Sequence, residues 1–99
     1  AAQGWQDVWQ RHGSGNFSFM DLLEPAARLA EEGFPIPPIT SHHWRNGMAQ
    51  IAQWIPPGQP YPLSIDGQHG PAPGDVMTNP HLAQVLRDLG NHGAKDGFY

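Results

Sequence analysis

The sequence predicts a mainly α-helical chain of about four helices joined by long loops rich in proline and glycine. Apolar side chains recur at helical spacing in four separate stretches, and capping residues stand at several of their boundaries. Alternation of β-branched residues, the mark of half-buried strands, is almost absent. With 12 Gly and 11 Pro among 99 residues, the connections are expected to be long and irregular. Four Trp and four Phe supply bulky core candidates in a chain that is otherwise modestly apolar. Residues 1–99 read as a single helical segment, since this length supplies one small domain rather than two.

The first helix is expected over residues 2–12, where Trp5, Val8, Trp9 and His12 fall at helical spacing and Gly13 stops it. Ser14, Gly15 and Asn16 form the turn. The second helix is expected over 18–32. Ser18 is its N-cap, and Asp21 stands three residues on, a capping box with Asp in place of the usual Glu or Gln. Phe17 and Leu22 occupy the positions of a hydrophobic staple. Pro25 is expected to interrupt this helix or open a new turn, because it has no N–H to donate four residues back. Ala26, Leu29 and Ala30 continue an apolar stripe, and Gly33 suits the left-handed position after the last turn. Glu31 and Glu32 sit at the helix end that disfavours negative charge, which calls for solvent or a fixed partner.

Phe34-Pro35-Ile36-Pro37-Pro38 must be extended, since each proline restricts itself and the residue before it. A third helix follows over 39–54, with Trp44, Met48, Ile51 and Ile55 on one face. Thr40 or Ser41 is its expected cap. Residues 56–78 are dense in proline and glycine and read as a long loop, with a short extended stretch at 63–65. Asn79-Pro80 reads as N-cap and first residue of a fourth helix over 80–90. There Leu82, Val85, Leu86 and Leu89 make the clearest amphipathic pattern in the chain, and Gly90 or Gly93 ends it.

Several function classes find no support. The net charge is −4 with no basic run, so the electrostatic footprint of nucleic-acid binding is missing. No apolar run approaches the roughly 20 residues that span a bilayer. Without cysteine there is no disulfide, thiolate metal site or cysteine nucleophile. His42 and His43 are adjacent, so on a helix they point about 100° apart and do not share an ion easily. His12, His69, His81 and His92 show no paired ligand spacing, and no metal residue is proposed. Ser14, Ser18, Ser41 and Ser64 lie outside any nucleophile-elbow context. Gly13-Ser14-Gly15 is too short for a phosphate loop, and no cofactor motif is present. The spacing of Trp5, Trp9, Phe17, Phe19, Trp44 and Trp54 favours core packing over a binding surface.

Three stretches carry a resemblance. Leu22-Leu23-Glu24-Pro25-Ala26-Ala27-Arg28-Leu29-Ala30-Glu31-Glu32-Gly33-Phe34-Pro35 resembles the large-subunit signature of γ-glutamyltranspeptidases. Upstream, Gly4-Trp5 and Arg11-His12-Gly13 are similar to the family's preceding helix. Downstream, Ala72-Pro73-Gly74-Asp75, Asn79-Pro80-His81-Leu82-Ala83 and Gly97-Phe98-Tyr99 are similar to its next helix and exit. The resemblance implies a piece of an N-terminal-nucleophile hydrolase with an αββα core, made as a self-cleaving precursor. A threonine at the start of the small subunit then attacks γ-glutamyl amides such as glutathione. It also implies that this nucleophile lies downstream, and the arginine for the substrate α-carboxylate upstream, of these residues. No catalytic or substrate-binding residue is therefore assigned in this chain. Thr40-Ser41-His42 superficially resembles a small-subunit start but lies deep in the large-subunit pattern, where a helix cap is the expected role. The implied partners are the remainder of the large subunit and the small subunit. The chain by itself is expected to be inactive. Two other readings stand beside this one: a fragment of a cephalosporin acylase-like amidohydrolase, and a stand-alone helical module that binds partners or self-associates.

Overall fold

A computed structural model describes all residues, 1–99. Four helices dominate it: α1 (Ala2–His12), α2 (Phe19–Glu32), α3 (Pro38–Ile51) and α4 (Pro80–Gly97). Two two-residue strands, β1 (Phe34–Pro35) and β2 (Val76–Met77), pair antiparallel with Phe34 opposite Met77. The chain divides into two compact units, residues 1–32 with 79–99, and residues 33–78.

In the first unit, α2 packs along α4 and α1 lies against α4. Ala2, Phe19, Leu89 and Ala94 form its buried centre, with Trp9 and Leu23 packed on it. The start of α2 follows the capping box. Ser18 Oγ accepts the Asp21 N–H at 3.0 Å, and Asp21 Oδ2 accepts the Ser18 N–H at 3.0 Å. Each side chain thus satisfies a backbone donor that the first turn leaves free. Phe17 and Leu22 both remain more than half exposed.

Pro25 does not break α2, which runs unbroken through it. An interior proline costs about 3 kcal/mol. Tertiary packing holds the helix through it: Phe19, Ala27 and Ala30 are buried on its stripe and α2 packs along α4. Asn79 caps α4 through its side chain, which accepts the Leu82 N–H at 3.0 Å. The fourth helix passes Gly90 and runs to Gly93, the second of the two expected stops, where the backbone leaves helical geometry before a last helical turn to Gly97. It bends at Gly93, whose φ of +80° is open to glycine and strained for other residues. Gln6 of α1 explains how the helix restarts there: its Oε1 accepts the Ala94 N–H at 2.6 Å, standing in for a cap.

The second unit holds α3, the strand pair and the proline-rich loop around buried Ile36, Met48 and Met77. Gly33 has φ +94°, and a Cβ there would lie 2.9 Å from Met77 O and 2.6 Å from a Val76 methyl. Both the backbone conformation and the close pass of β2 demand glycine. Two further bonds extend the pairing, Ile36 N–H to Asp75 O at 2.9 Å and Gly74 N–H to Ile36 O at 2.8 Å.

Helix α3 begins at Pro38 with no side-chain cap, which corrects the expectation for Thr40 and Ser41. Proline at the first position presets the helical φ and carries no N–H that needs a partner. Helical geometry ends at Ile51, and a single 3₁₀ turn carries Ala52–Trp54. The stretch at 63–65 is a turn rather than an extended segment. Leu63 has φ +56° there, and the Ser64 hydroxyl donates to Tyr61 O at 2.6 Å.

Candidate functional site

Thr40, Ser41 and His42 occupy the first turns of α3, where a nucleophile with a free α-amine cannot form without cleavage. Thr40 is exposed. Ser41 is buried, and its hydroxyl donates to Pro71 O at 2.6 Å, pinning the loop to the helix. The Ser41 proton is thus committed to a carbonyl and faces no base. His42 is exposed and pairs with Asn46 one turn on, 3.2 Å from Nε2 to the amide nitrogen. The three adjacent residues therefore do three separate structural jobs. Their resemblance to a small-subunit start ends at the sequence.

The histidines do not converge. The His42 and His43 rings meet edge to face with centroids 5.4 Å apart. No three His, Asp or Glu side chains come together at a spacing that would hold a metal ion.

One carboxylate–imidazole pair does form, and the sequence reading missed it. Asp66 Oδ2 lies 2.8 Å from His69 Nδ1, while Asp66 Oδ1 accepts the N–H groups of Gln68 at 2.9 Å and His69 at 2.7 Å. The signal was available, since an Asp followed by Gly folds its carboxylate back on the amides two and three residues on, in an Asx turn. Chemically the pair lacks a third member. Ser64, the neighbouring hydroxyl in sequence, is bonded to Tyr61 O, so no nucleophile–base–orienter series is assembled.

The His69 side chain, then the Gln68 and His69 amides, pull the Asp66 carboxyl down from its ordinary 3.8 to about 2. A folded value below the unfolded one means that the charged turn favours the folded state above about pH 4. That contribution is lost as pH falls from 3.8 through about 2. A carbon-detected NMR titration is expected to place the Asp66 midpoint near 2, with the Gln68 and His69 amide shifts moving alongside it. A midpoint at the ordinary carboxylate value would remove this account of the turn.

A second cluster is structural. Arg87 of α4 bridges two carboxylates of α2, bonding Glu31 through Nη1 and Glu24 through Nη2, the latter at 3.3 Å. Arg28 adds a 3.6 Å contact to the same Glu24. Bonding to Glu31 first, then Glu24, raises the affinity of the Arg87 guanidinium for its proton. This is the fixed partner that the acidic end of α2 requires. It could not be read from the sequence, because Arg87 and Glu31 are 56 positions apart.

The aromatic set divides. Phe19 is buried, Trp9 stacks on it at 5.4 Å, and Trp44 is half-buried with its N–H on Leu63 O at 2.9 Å. Trp5, Phe17 and Trp54 are 52%, 59% and 77% exposed, which corrects the expectation that all six pack inside. Trp5, Val8 and Trp9 of α1 face Phe19, Leu22 and Leu23 of α2 across an open apolar groove of about 280 Å³.

Among solved structures, the chain is similar to the Bacillus anthracis transpeptidase enzyme CapD, with 22% identity and a TM-score of 0.66. The likeness covers 92% of this chain and 30% of that one, so the chain spans less than a third of that relative's length. It establishes a shared, mainly helical fold. Among curated proteins no match is found. The Gamma-glutamyltranspeptidase family pattern, however, matches residues 1–99 without interruption, and on that match the chain belongs to the γ-glutamyltranspeptidase family.

Proposed function

We propose that these residues are a scaffold portion of an enzyme that transfers or hydrolyses γ-glutamyl groups, glutathione among its substrates, within an αββα N-terminal-nucleophile hydrolase. The family match over residues 1–99 carries the reading. The chemistry of this chain supports the division of labour. A covalent mechanism of this kind needs a threonine whose own α-amine is free, beside oxyanion donors. Thr40 is locked in the first turn of α3, and Thr78 links β2 to the cap of α4. In this reading the nucleophile stands in another part of a self-cleaving precursor. The remainder of the large subunit and the small subunit are the partners.

Two assays test the proposal. The 99-residue chain is expected to show no turnover of a chromogenic γ-glutamyl anilide above the buffer rate, and its intact mass is expected to stay constant. The complete polypeptide encoded by the gene is expected to turn the anilide over. Turnover by the short chain that Thr40→Ala abolishes would refute the scaffold role, as would a mass loss matching cleavage before Thr40.

A further inference from the structure

Arg45 is the only Lys or Arg in residues 33–78, and no carboxylate lies within ion-pair distance of it. Arg28 and Arg87 both meet Glu24, whereas the two acidic groups of Arg45's own unit are committed elsewhere. Asp66 is held by His69 and two amides, and Asp75 Oδ2 accepts the Ala72 N–H at 2.9 Å. What Arg45 does line is a cavity of about 400 Å³, shared with Pro38, Ser41, His42, Asn46 and Pro73. That volume falls in the range of small-molecule sites. No Asp or Glu lines it. His42, Arg45 and Asn46 stand at i, i+3 and i+4 of α3, so they share one helix face. The Asn46 amide spends one group on His42 Nε2, 3.2 Å away, and has no other protein partner. The facing loop is fixed to the same helix. Ser41 holds Pro71 O, and Gly70 runs so close that an added Cβ would lie 3.0 Å from Arg45 N and Cα. The wall that carries Pro73 is therefore seated on α3 at Arg45, and the cavity exists before any ligand arrives.

We infer that this cavity binds a small organic carboxylate, its charged end on Arg45 and Asn46 and an uncharged body between Pro38 and Pro73. A guanidinium presents its N–H donors in a planar fork that matches the two oxygens of a carboxylate. The Asn46 amide adds a neutral donor one position along the same helix face. The two proline rings carry no donor, so they suit an apolar body and nothing charged. A bare inorganic anion would occupy only part of the cavity and leave those rings in water. A polyanion is disfavoured too, because one isolated guanidinium makes no basic stripe. The inference stands on this geometry and goes beyond the γ-glutamyl reading, on which it does not depend.

Benzoate, a rigid carboxylate on an apolar ring, is the probe, and benzamide, of the same shape without the charge, is its control. Each is titrated into the isotope-labelled 99-residue chain at low ionic strength, since salt screens an exposed guanidinium. NMR follows the Arg45 Nε–H and the Asn46 side-chain amide. Benzoate is expected to shift both with a Kd on the order of 1 mM, within reach of a ligand this small. Benzamide, and inorganic phosphate at matched ionic strength, are each expected to bind about tenfold more weakly or worse. Arg45→Met keeps the stem without the charge and is expected to weaken benzoate about tenfold or more. Arg45→Lys keeps the charge without the fork and is expected to fall between the two. Arg11→Met removes another arginine that has no ion-pair partner, and is expected to leave binding unchanged. Circular dichroism checks that each variant is helical, and the shift map of the unaltered chain locates the site even where a variant fails to fold. Shifts centred away from Arg45 and Asn46 would overturn the inference, as would full benzoate affinity in a folded Arg45→Met. Phosphate binding as tightly as benzoate would overturn it too, by reducing the cavity to an adventitious ion contact.

Discussion

Replacing Leu89 by alanine is expected to lower the unfolding free energy by about 2–5 kcal/mol, the range for emptying a packed aliphatic site. Leu89 is fully buried on α4 and meets Ala2, Phe19 and Ala94 at the centre of the first unit. Three of those four residues come from different helices, so the cavity would loosen α1, α2 and α4 together. Two of the neighbours are alanines with no side chain to swing into the gap, which places the cost toward the upper end. A domain of this length holds on the order of 5–15 kcal/mol in total. Urea unfolding followed by circular dichroism provides the measurement, with Leu89→Met as a volume-conserving control expected to cost less than about 1.5 kcal/mol. An equal loss in both variants would mean that the site is intolerant of any change, not that it is filled by leucine volume.

The second expectation is a difference in sign between two helical glycines. Alanine gains about 1 kcal/mol over glycine inside an unhindered helix. At Gly47 of α3 no atom lies within 4 Å of an added Cβ, so Gly47→Ala is expected to stabilise by about that amount. At Gly90 of α4 an added Cβ would stand 2.9 Å from Met20 Cα and 2.6 Å from its sulfur. The sulfur can swing away, but the Cα belongs to the backbone of α2 and moves only if the helices separate. Overpacking of this kind costs about 1–3 kcal/mol, which exceeds the helix-propensity gain. Gly90→Ala is therefore destabilising, and Gly90→Val, with a larger side chain and a poor helix former, more so. Parallel melting curves of the Gly47 and Gly90 variants decide the matter. Stabilisation at both positions would show that α2 and α4 do not approach closely at Met20.

Much of the helical framework was legible because its signals act over a few residues. Ser18 and Asp21 face each other across one turn, and Asn79 reaches the N–H three residues on, in geometry the backbone itself sets. The apolar stripe of α4 announces the helix for a similar reason. Its end was legible only as a choice between Gly90 and Gly93, and the backbone leaves helical geometry at Gly93. Gly90 serves as a crossing point for α2, and Gln6 reseats the helix beyond Gly93. Pro25 likewise reads as a break, while α2 runs through it, packed along α4 with Phe19, Ala27 and Ala30 buried. Among the candidate site residues, the fate of Ser41 turned on Pro71, 30 positions away.

By itself, then, the sequence determined the helical class, the caps of α2 and α4, the left-handed turn at Gly33, and the family. Each of these depends on a side chain and a backbone within about one turn of each other, or on a pattern along the whole chain. The tertiary structure alone decided which of the aromatic residues are core and which form an open groove. It alone joined Arg87 to Glu24 and Glu31, Gln6 to Ala94, and Ser41 to Pro71. These contacts link residues 30 to 88 positions apart. Helical periodicity says which residues share a face but not which other face meets it, and burial is settled only when the two faces meet.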